Sequence, residues 1–174
     1  MSLNNVKIVK LRKVKTPTRG TSVSAGLDFY IPDDIDSNKI KYFYPITDEP
    51  YYHYESNNDI TIHPKESILI PSGIKVNVPH GYCLEFKNRS GMATKKSLIF
   101  GAHLVDEDYK GEIFFNIHNI GEYAVTLHPG DKIIQGVFHQ VEYPVVEVVD
   151  TEEELFNDKE TERGSGGFGS TGSN

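Results

Sequence analysis

Glycines, hydroxyls and an arginine gathered in one short run are the chain's plainest chemical signal. Arg163 is followed by Gly164-Ser165-Gly166-Gly167-Phe168-Gly169-Ser170-Thr171-Gly172. The spacing Gly164-x-x-x-x-Gly169-Ser170-Thr171 is that of a phosphate loop, except that Ser170 stands where such loops carry lysine. It also satisfies G-x-G-x-x-G, yet only three residues follow Thr171, so the helix of a dinucleotide fold is not expected. What remains is the logic of such loops. Successive backbone N–H groups converge on one oxyanion, hydroxyls add donors, and Arg163 can grip a terminal phosphate with two parallel hydrogen bonds. Phe168 offers a ring to stack on a base. The bland alternative, a Gly/Ser-rich linker without a core, carries equal weight on composition alone.

Two further stretches carry chemistry. In Val105-Asp106-Glu107-Asp108-Tyr109-Lys110-Gly111-Glu112 a carboxylate sits beside an aromatic ring, equipment for orienting a water near a ligand. Its rival reading is an acidic, solvated hairpin turn, and the glycine and glutamate positions of a calcium hand are missing. Asn88-Arg89-Ser90-Gly91 precedes a plausible helix, where first-turn N–H groups, an arginine and a hydroxyl form a second anion site, or where Ser90 simply caps. Ala25-Gly26-Leu27-Asp28 and Gly130-Asp131-Lys132-Ile133-Ile134-Gln135 say little in isolation. The seven histidines show no metal-ligand spacing.

The elements that must position these residues are short. Val6–Val9, Ile68–Ile70, Ile74–Val78, Tyr82–Phe86, Ile113–Ile117, Ala124–Leu127, Ile133–Phe138 and Val145–Val149 are apolar or alternate with period two, as strands do. Pro71-Ser72-Gly73, Pro79-His80-Gly81, Asn119-Ile120-Gly121 and His128-Pro129-Gly130-Asp131 punctuate them. Many short strands at this spacing predict an all-β barrel or sandwich over residues 1–150. The expected helices are Ser90–Lys96 and a short acidic turn begun by Thr151-Glu152-Glu153-Glu154, with Thr151 as its cap. Residues 33–59 interrupt the pattern with Tyr42-Phe43-Tyr44 and Tyr51-Tyr52-His53-Tyr54. That segment reads as an aromatic-rich insertion, either a hairpin leaving the main sheet or a surface for a protein partner. Residues 151–174 read as a linker and a flexible phosphate-binding arm.

At 174 residues with 37% hydrophobic and 25% charged side chains, one globular domain is the default. No apolar run spans a bilayer and no signal-peptide core opens the chain, so a cytoplasmic location is expected. A single cysteine, Cys83, excludes an intramolecular disulfide. A net charge of −7 argues against stable nucleic-acid binding while leaving small phosphorylated ligands open.

Taken together, Ala25–Asp28, Arg89-Ser90-Gly91-Met92-Ala93, Leu104–Glu112, Gly130–Gln135 and Arg163–Gly172 resemble, in order and spacing, the five motifs of the trimeric dUTPases. The resemblance covers about Val6 to Gly172. It implies a jelly-roll-like subunit of a closed homotrimer with three sites at subunit boundaries. It implies a dUTP diphosphatase that cleaves dUTP to dUMP and pyrophosphate with Mg²⁺, limiting uracil in DNA and supplying dUMP for dTMP synthesis. Asp106 would activate the attacking water. Tyr109 would lie beneath the deoxyribose and exclude a 2′-hydroxyl, and the hairpin around His103–Gly111 would read uracil. Arg89, Ser90, Gly91 and Gln135 would contact phosphates. Asp28 would reach a magnesium-bound water, with the metal otherwise held by the triphosphate. Arg163, Gly169, Ser170 and Thr171 would grip the terminal phosphate, and Phe168 would cover the base.

Where many relatives carry Asn or Asp six or seven residues before the catalytic Asp, this chain has Phe100 and Ile99. His103 stands where Gly is usual. Uracil would then be read by backbone groups or by His103. Two rival readings share the scaffold: a dCTP deaminase, which lacks the Arg163–Gly172 tail, and a regulatory binding protein docking through residues 33–59.

Overall fold

The computed structural model describes residues 5–35, 39–43, 58–157, 161 and 164–167. Two compact units divide the chain, Met1–Glu142 and Tyr143–Asn174. Among the described residues the first contains thirteen strands and one helix: β1 (Lys7–Lys10), β2 (Thr18–Arg19), β3 (Leu27–Tyr30), β4 (Lys41–Phe43), β5 (Ile60–Ile62), β6 (Ser67–Pro71), β7 (Ile74–Asn77), β8 (Tyr82–Asn88), α1 (Ser90–Lys96), β9 (Leu98–Phe100), β10 (Leu104–Val105), β11 (Phe114–Asn119), β12 (Val125–Leu127) and β13 (Lys132–Gln140).

A five-stranded sheet runs β10-β8-β13-β3-β2, a four-stranded sheet runs β4-β6-β11-β9, and β1-β7 and β12-β5 form two-stranded ribbons. Neighbours are mostly non-consecutive in sequence, which makes the unit all-β and jelly-roll-like, as expected. Period-two patterning decides which face each strand buries. On β7, Ile74 and Val76 are buried while Lys75 and Asn77 are exposed. On β11, Phe115, Ile117 and Asn119 turn inward, leaving Phe114, Asn116 and His118 half-buried on the opposite face.

Four phenylalanines join the two larger sheets. Phe29 and Phe86 lie 5.0 Å apart edge to face, Phe86 and Phe115 6.0 Å, and Phe100 and Phe115 6.2 Å. Such pairs are worth about 1 kcal/mol beyond their buried area. Phe100 is thus partly spent on the core.

Three local expectations are corrected. Ser90 does not cap α1. Arg89 occupies the cap with an extended backbone (φ −86°, ψ 134°) and no side-chain cap, and its carbonyl accepts from Met92 N and Ala93 N at 3.0 and 3.1 Å. Ser90 is the first helical residue, and its carbonyl accepts Thr94 Oγ1 at 2.8 Å. Val145–Val149 forms no strand; Val145, Val146 and Val148 are exposed, having apolar alternation but no ladder partner among the described residues. Residues 33–59 are not wholly an insertion. Ile35, Ile40 and Tyr42 are buried in the core, and β4 pairs antiparallel with β6 through Tyr42 opposite Ile68. The remaining tyrosines of that segment and His53 lie outside the described residues.

In the second unit, α2 (Glu152–Phe156) begins as expected at Thr151, whose Oγ1 accepts from Glu154 N at 3.2 Å. Glu154 Oε2 accepts from Asp150 N at 3.2 Å, and three acidic residues occupy the first turn, where the helix dipole favours them. No helix among the described residues is long and apolar enough to cross a membrane.

Candidate active site

Strand register gathers the first group of expected residues. β13 pairs with β3 on one side and β8 on the other, so Gln135 lies opposite both Asp28 and Lys87. Gln135 Nε2 donates to Asn88 O at 3.1 Å, tying β13 to the end of β8, where the chain turns into Arg89 and α1. Arg89 Nη1 donates to Lys132 O at 2.7 Å, and its Nε lies 3.2 Å from Asp28 Oδ1. Lys132 Nζ meets the other oxygen, Asp28 Oδ2, at 3.0 Å. One carboxylate thus faces two cations, leaving the cluster net positive, the sign a polyphosphate needs. Ser90 and Gly91 are exposed beside it. Lys132 stands in the Gly130–Gln135 stretch, whose sequence assigns it no role.

The second group lies in a cleft of about 210 Å³. Leu69, Phe86, Leu104, Val105, Ile113 and Phe114 give it apolar walls, with Ala102 at the rim and His103, Asp106, Tyr109 and Asn116 as its polar side chains. Asp28, Arg89, Ser90, Gly91 and Gln135 do not line it. β10 holds the hairpin down, Leu104 opposite Glu85 and Val105 opposite Leu84, and Phe86 N donates to His103 O at 2.7 Å.

The turn that follows is fixed at several points. Tyr109 N donates to Asp106 O at 3.2 Å, which folds the exposed Asp106 and Tyr109 onto one turn. Glu107 accepts from Gly81 N at 2.6 Å and lies 3.1 Å from His80 Nδ1. Tyr109 OH donates to Glu112 O at 2.8 Å. Its ring lies so close over Gly111 that a Cβ there would overlap the phenol, so only glycine permits this ring position. Behind it, the half-buried Glu112 carboxylate accepts hydrogen bonds from Arg12 Nη2 at 3.2 Å and Gly73 N at 2.8 Å and lies 3.0 Å from Arg12 Nη1 as an ion pair. That paired, hydrogen-bonded charge anchors the hairpin's return leg, and neither partner was singled out from the sequence.

His103 lines the cleft immediately before β10. Its Nδ1 lies 2.7 Å from Gly101 O and its Nε2 3.6 Å from Glu85 Oε1. Nδ1 is therefore hydrogen-bonded within the hairpin, while Nε2 lies beyond hydrogen-bond distance of Glu85. Glu85 also takes a hydrogen bond from Lys87 and lies 3.2 Å from His139 Nε2. The Lys87 hydrogen bond, opposed by desolvation and reinforced by the charges of Lys87, His139 and His103, holds its carboxyl below the usual glutamate value.

Arg163, Phe168, Gly169, Ser170 and Thr171 lie outside the described residues. Among the described residues no three His, Cys, Asp or Glu side chains converge as a metal cage.

A family model for dUTPase matches residues 49–172. The deoxyuridine 5′-triphosphate nucleotidohydrolase of Mus musculus is 33% identical over 171 residues, 98% of this chain and 86% of that protein. The enzyme of the same name from Chlamydia trachomatis serovar D is 44% identical over 118 residues, 67% of this chain and 78% of that protein. Among solved structures, the Staphylococcus bacteriophage 80alpha dUTPase with dUpNHpp superposes with a TM-score of 0.74 at 22% identity, covering 98% of this chain and all of that one (100%). A mutant dUTPase from phage phi11 of S. aureus, described with a structural Mg(II) ion, gives 0.67 at 19% identity over 86% of this chain and 99% of that one. The structural likenesses establish the fold; the family model and the mouse protein, with the motif residues placed as above, establish that this chain belongs to the dUTPase family.

Proposed function

We propose that this chain hydrolyses dUTP to dUMP and pyrophosphate as a homotrimer with Mg²⁺, keeping uracil out of DNA and supplying dUMP for dTMP synthesis. The observation that carries the reading is the cleft in which one rigid turn presents both the Asp106 carboxylate and the Tyr109 ring beside apolar walls. Uracil and deoxyribose enter that cleft. Asp106 takes the proton of a water that attacks the α-phosphorus in line, and pyrophosphate leaves. Tyr109, held by Glu112 O, sets a fixed plane against which a 2′-hydroxyl collides.

Arg89, Ser90, Gly91 and Gln135 receive the phosphates. Arg163, Gly169, Ser170 and Thr171 grip the terminal one, and Phe168 closes over the base, so ordering of the tail excludes water other than the nucleophile. The residues present suit magnesium held by substrate. The ion favours phosphate oxygens and waters over a protein cage, and Asp28 is the one site carboxylate set among the phosphate-binding cations. When bound, it supplies charge neutralisation on the triphosphate. The exposed Val145, Val146 and Val148 give a neighbouring subunit apolar surface to cover.

Pyrophosphate release from the four dNTPs, dUTP and UTP tests the reading. Release confined to dUTP is expected. Ammonia from dCTP instead of pyrophosphate from dUTP would make the chain a deaminase of the same fold.

A further inference from the structure

Besides the backbone groups of the hairpin, a side chain can read the base, and the two positions the sequence marks for one, 100 and 103, are committed otherwise. Phe100 has no polar group and packs 5.7 Å from Phe86, and His103 spends its Nδ1–H on Gly101 O, so a neutral ring offers only an acceptor at Nε2. Tyr109 OH is committed to Glu112 O, and an ionised Asp106 can only accept. Asn116 differs. It stands on β11 opposite Leu69, half-buried, with its side chain lining the cleft. Its Oδ1 accepts from Ala102 N at 3.1 Å and lies 2.9 Å from His118 Nε2.

A backbone N–H can only donate, so the amide orientation is fixed with oxygen toward Ala102. Its Nδ2 donates to no other described residue. Gly101 makes the arrangement possible, because a Cβ there would overlap Asn116 Oδ1 and His118 Nε2. Gly101 N in turn donates to Asn116 O at 2.9 Å. Burial holds His118 below its ordinary pKa, which keeps the ring neutral, with Nε2–H available for Oδ1.

We infer that Asn116 is a specificity residue that donates its Nδ2–H to the 4-carbonyl of the uracil ring. This rests on the dUTP reading above and names the side chain that carries base choice. Cytosine has an amino group at that carbon. Two N–H groups would then face each other in an apolar cleft, leaving both donors unpaired, a mismatch that sites built around a hydrogen bond reject strongly.

The test measures kcat and KM for dUTP and dCTP with wild type, Asn116→Asp, Asn116→Ser and His118→Gln. Asn116→Asp puts an acceptor where the donor was. Its dUTP KM should rise about ten- to hundredfold with kcat within about threefold, and the dUTP/dCTP ratio of kcat/KM should fall by at least about tenfold. Asn116→Ser keeps an acceptor for Ala102 N–H in a smaller side chain and should lower the ratio as well, which covers the case in which Asn116→Asp fails to fold. His118→Gln retains a donor for Oδ1 and should keep the ratio. An unchanged ratio in a folded Asn116 variant, or an equal loss of both substrates through kcat, overturns the inference while wild-type dUTP hydrolysis leaves the enzyme assignment standing. Absence of dUTP hydrolysis by wild type overturns the assignment itself.

Discussion

Asp106 is exposed, and its backbone carbonyl already belongs to the turn that fixes Tyr109. Asp106→Asn therefore keeps shape and hydrogen-bonding capacity while removing the base. Turnover should fall by about 10²–10⁴, with binding of a non-hydrolysable dUTP analogue retained; activity within about threefold of wild type would remove Asp106 from that role.

His118 supplies a test of a different kind. Its native pKa lies below 6.5 because burial disfavours the imidazolium. Below about pH 6.5 the unfolded chain then binds more protons than the native one, so this residue's contribution to stability is present above that pH and is lost as pH falls. The urea midpoint should drop from about pH 7 to about pH 5.5, and more steeply than in His118→Gln, which has no proton to gain. Equal slopes would show that other groups set the pH dependence.

Arg89, Asp106 and Tyr109 stand in stretches whose residue types suggest the chemistry proposed for them, whereas Asp28 and Gln135 enter only through the resemblance of all five stretches together. Asn116 and His118 were not legible. They stand two apart on a strand, with only their alternation opposite Phe115 and Ile117 to hint at a shared face, and sequence does not show that Gly101, roughly 50 Å of extended chain away, returns to touch them. Arg12 and Glu112 are hidden for the same reason: their pairing is purely tertiary.

At the scale of elements, strand positions were readable wherever turn residues bounded an alternating run, as at Pro71-Ser72-Gly73 between β6 and β7. The strand expected at Val145–Val149 shows the limit of the method, since alternation specifies a face and not a partner. β4 shows the opposite error. Tyr42 was grouped with the neighbouring aromatics, whereas its ring is buried and its strand extends the four-stranded sheet.

That correction changes how the segment should be cut. Removing residues 33–59 would take Ile35, Ile40 and Tyr42 from the core, and the loss of even one large buried side chain costs about 2–5 kcal/mol. Replacing only residues 44–57 with a short Gly-containing linker spares β4 and Asn58, and closure entropy depends only weakly on the length of a connection. The shorter deletion should stay folded with kcat/KM for dUTP within about threefold of wild type, and the longer should not fold; both outcomes are read by circular dichroism and pyrophosphate release. Loss of activity in a folded shorter deletion would assign 44–57 to the site.

At the scale of the whole molecule, the residues proposed to act together do not share one cleft within a subunit. Asp106 and Tyr109 line the cleft, and the cluster of Asp28, Arg89, Lys132 and Gln135 does not. The homotrimer proposed above would unite them from different chains, and this can be measured. One variant carries Asp106→Asn with its tail intact; another keeps Asp106 but ends after Glu162. Each alone should be nearly inactive. Unfolded and refolded together in equal amounts, the chains mix randomly in a closed ring. A site then works only where the hairpin comes from the truncated chain and the tail from the Asp106→Asn chain. Independent donors make that one half times one half, so about a quarter of wild-type activity should return. If one chain supplied both parts, no mixed trimer could hold a complete site and activity would stay at the parental background. That outcome, with mixed trimers verified by mass, would refute sharing between subunits without touching the chemistry assigned to Asp106.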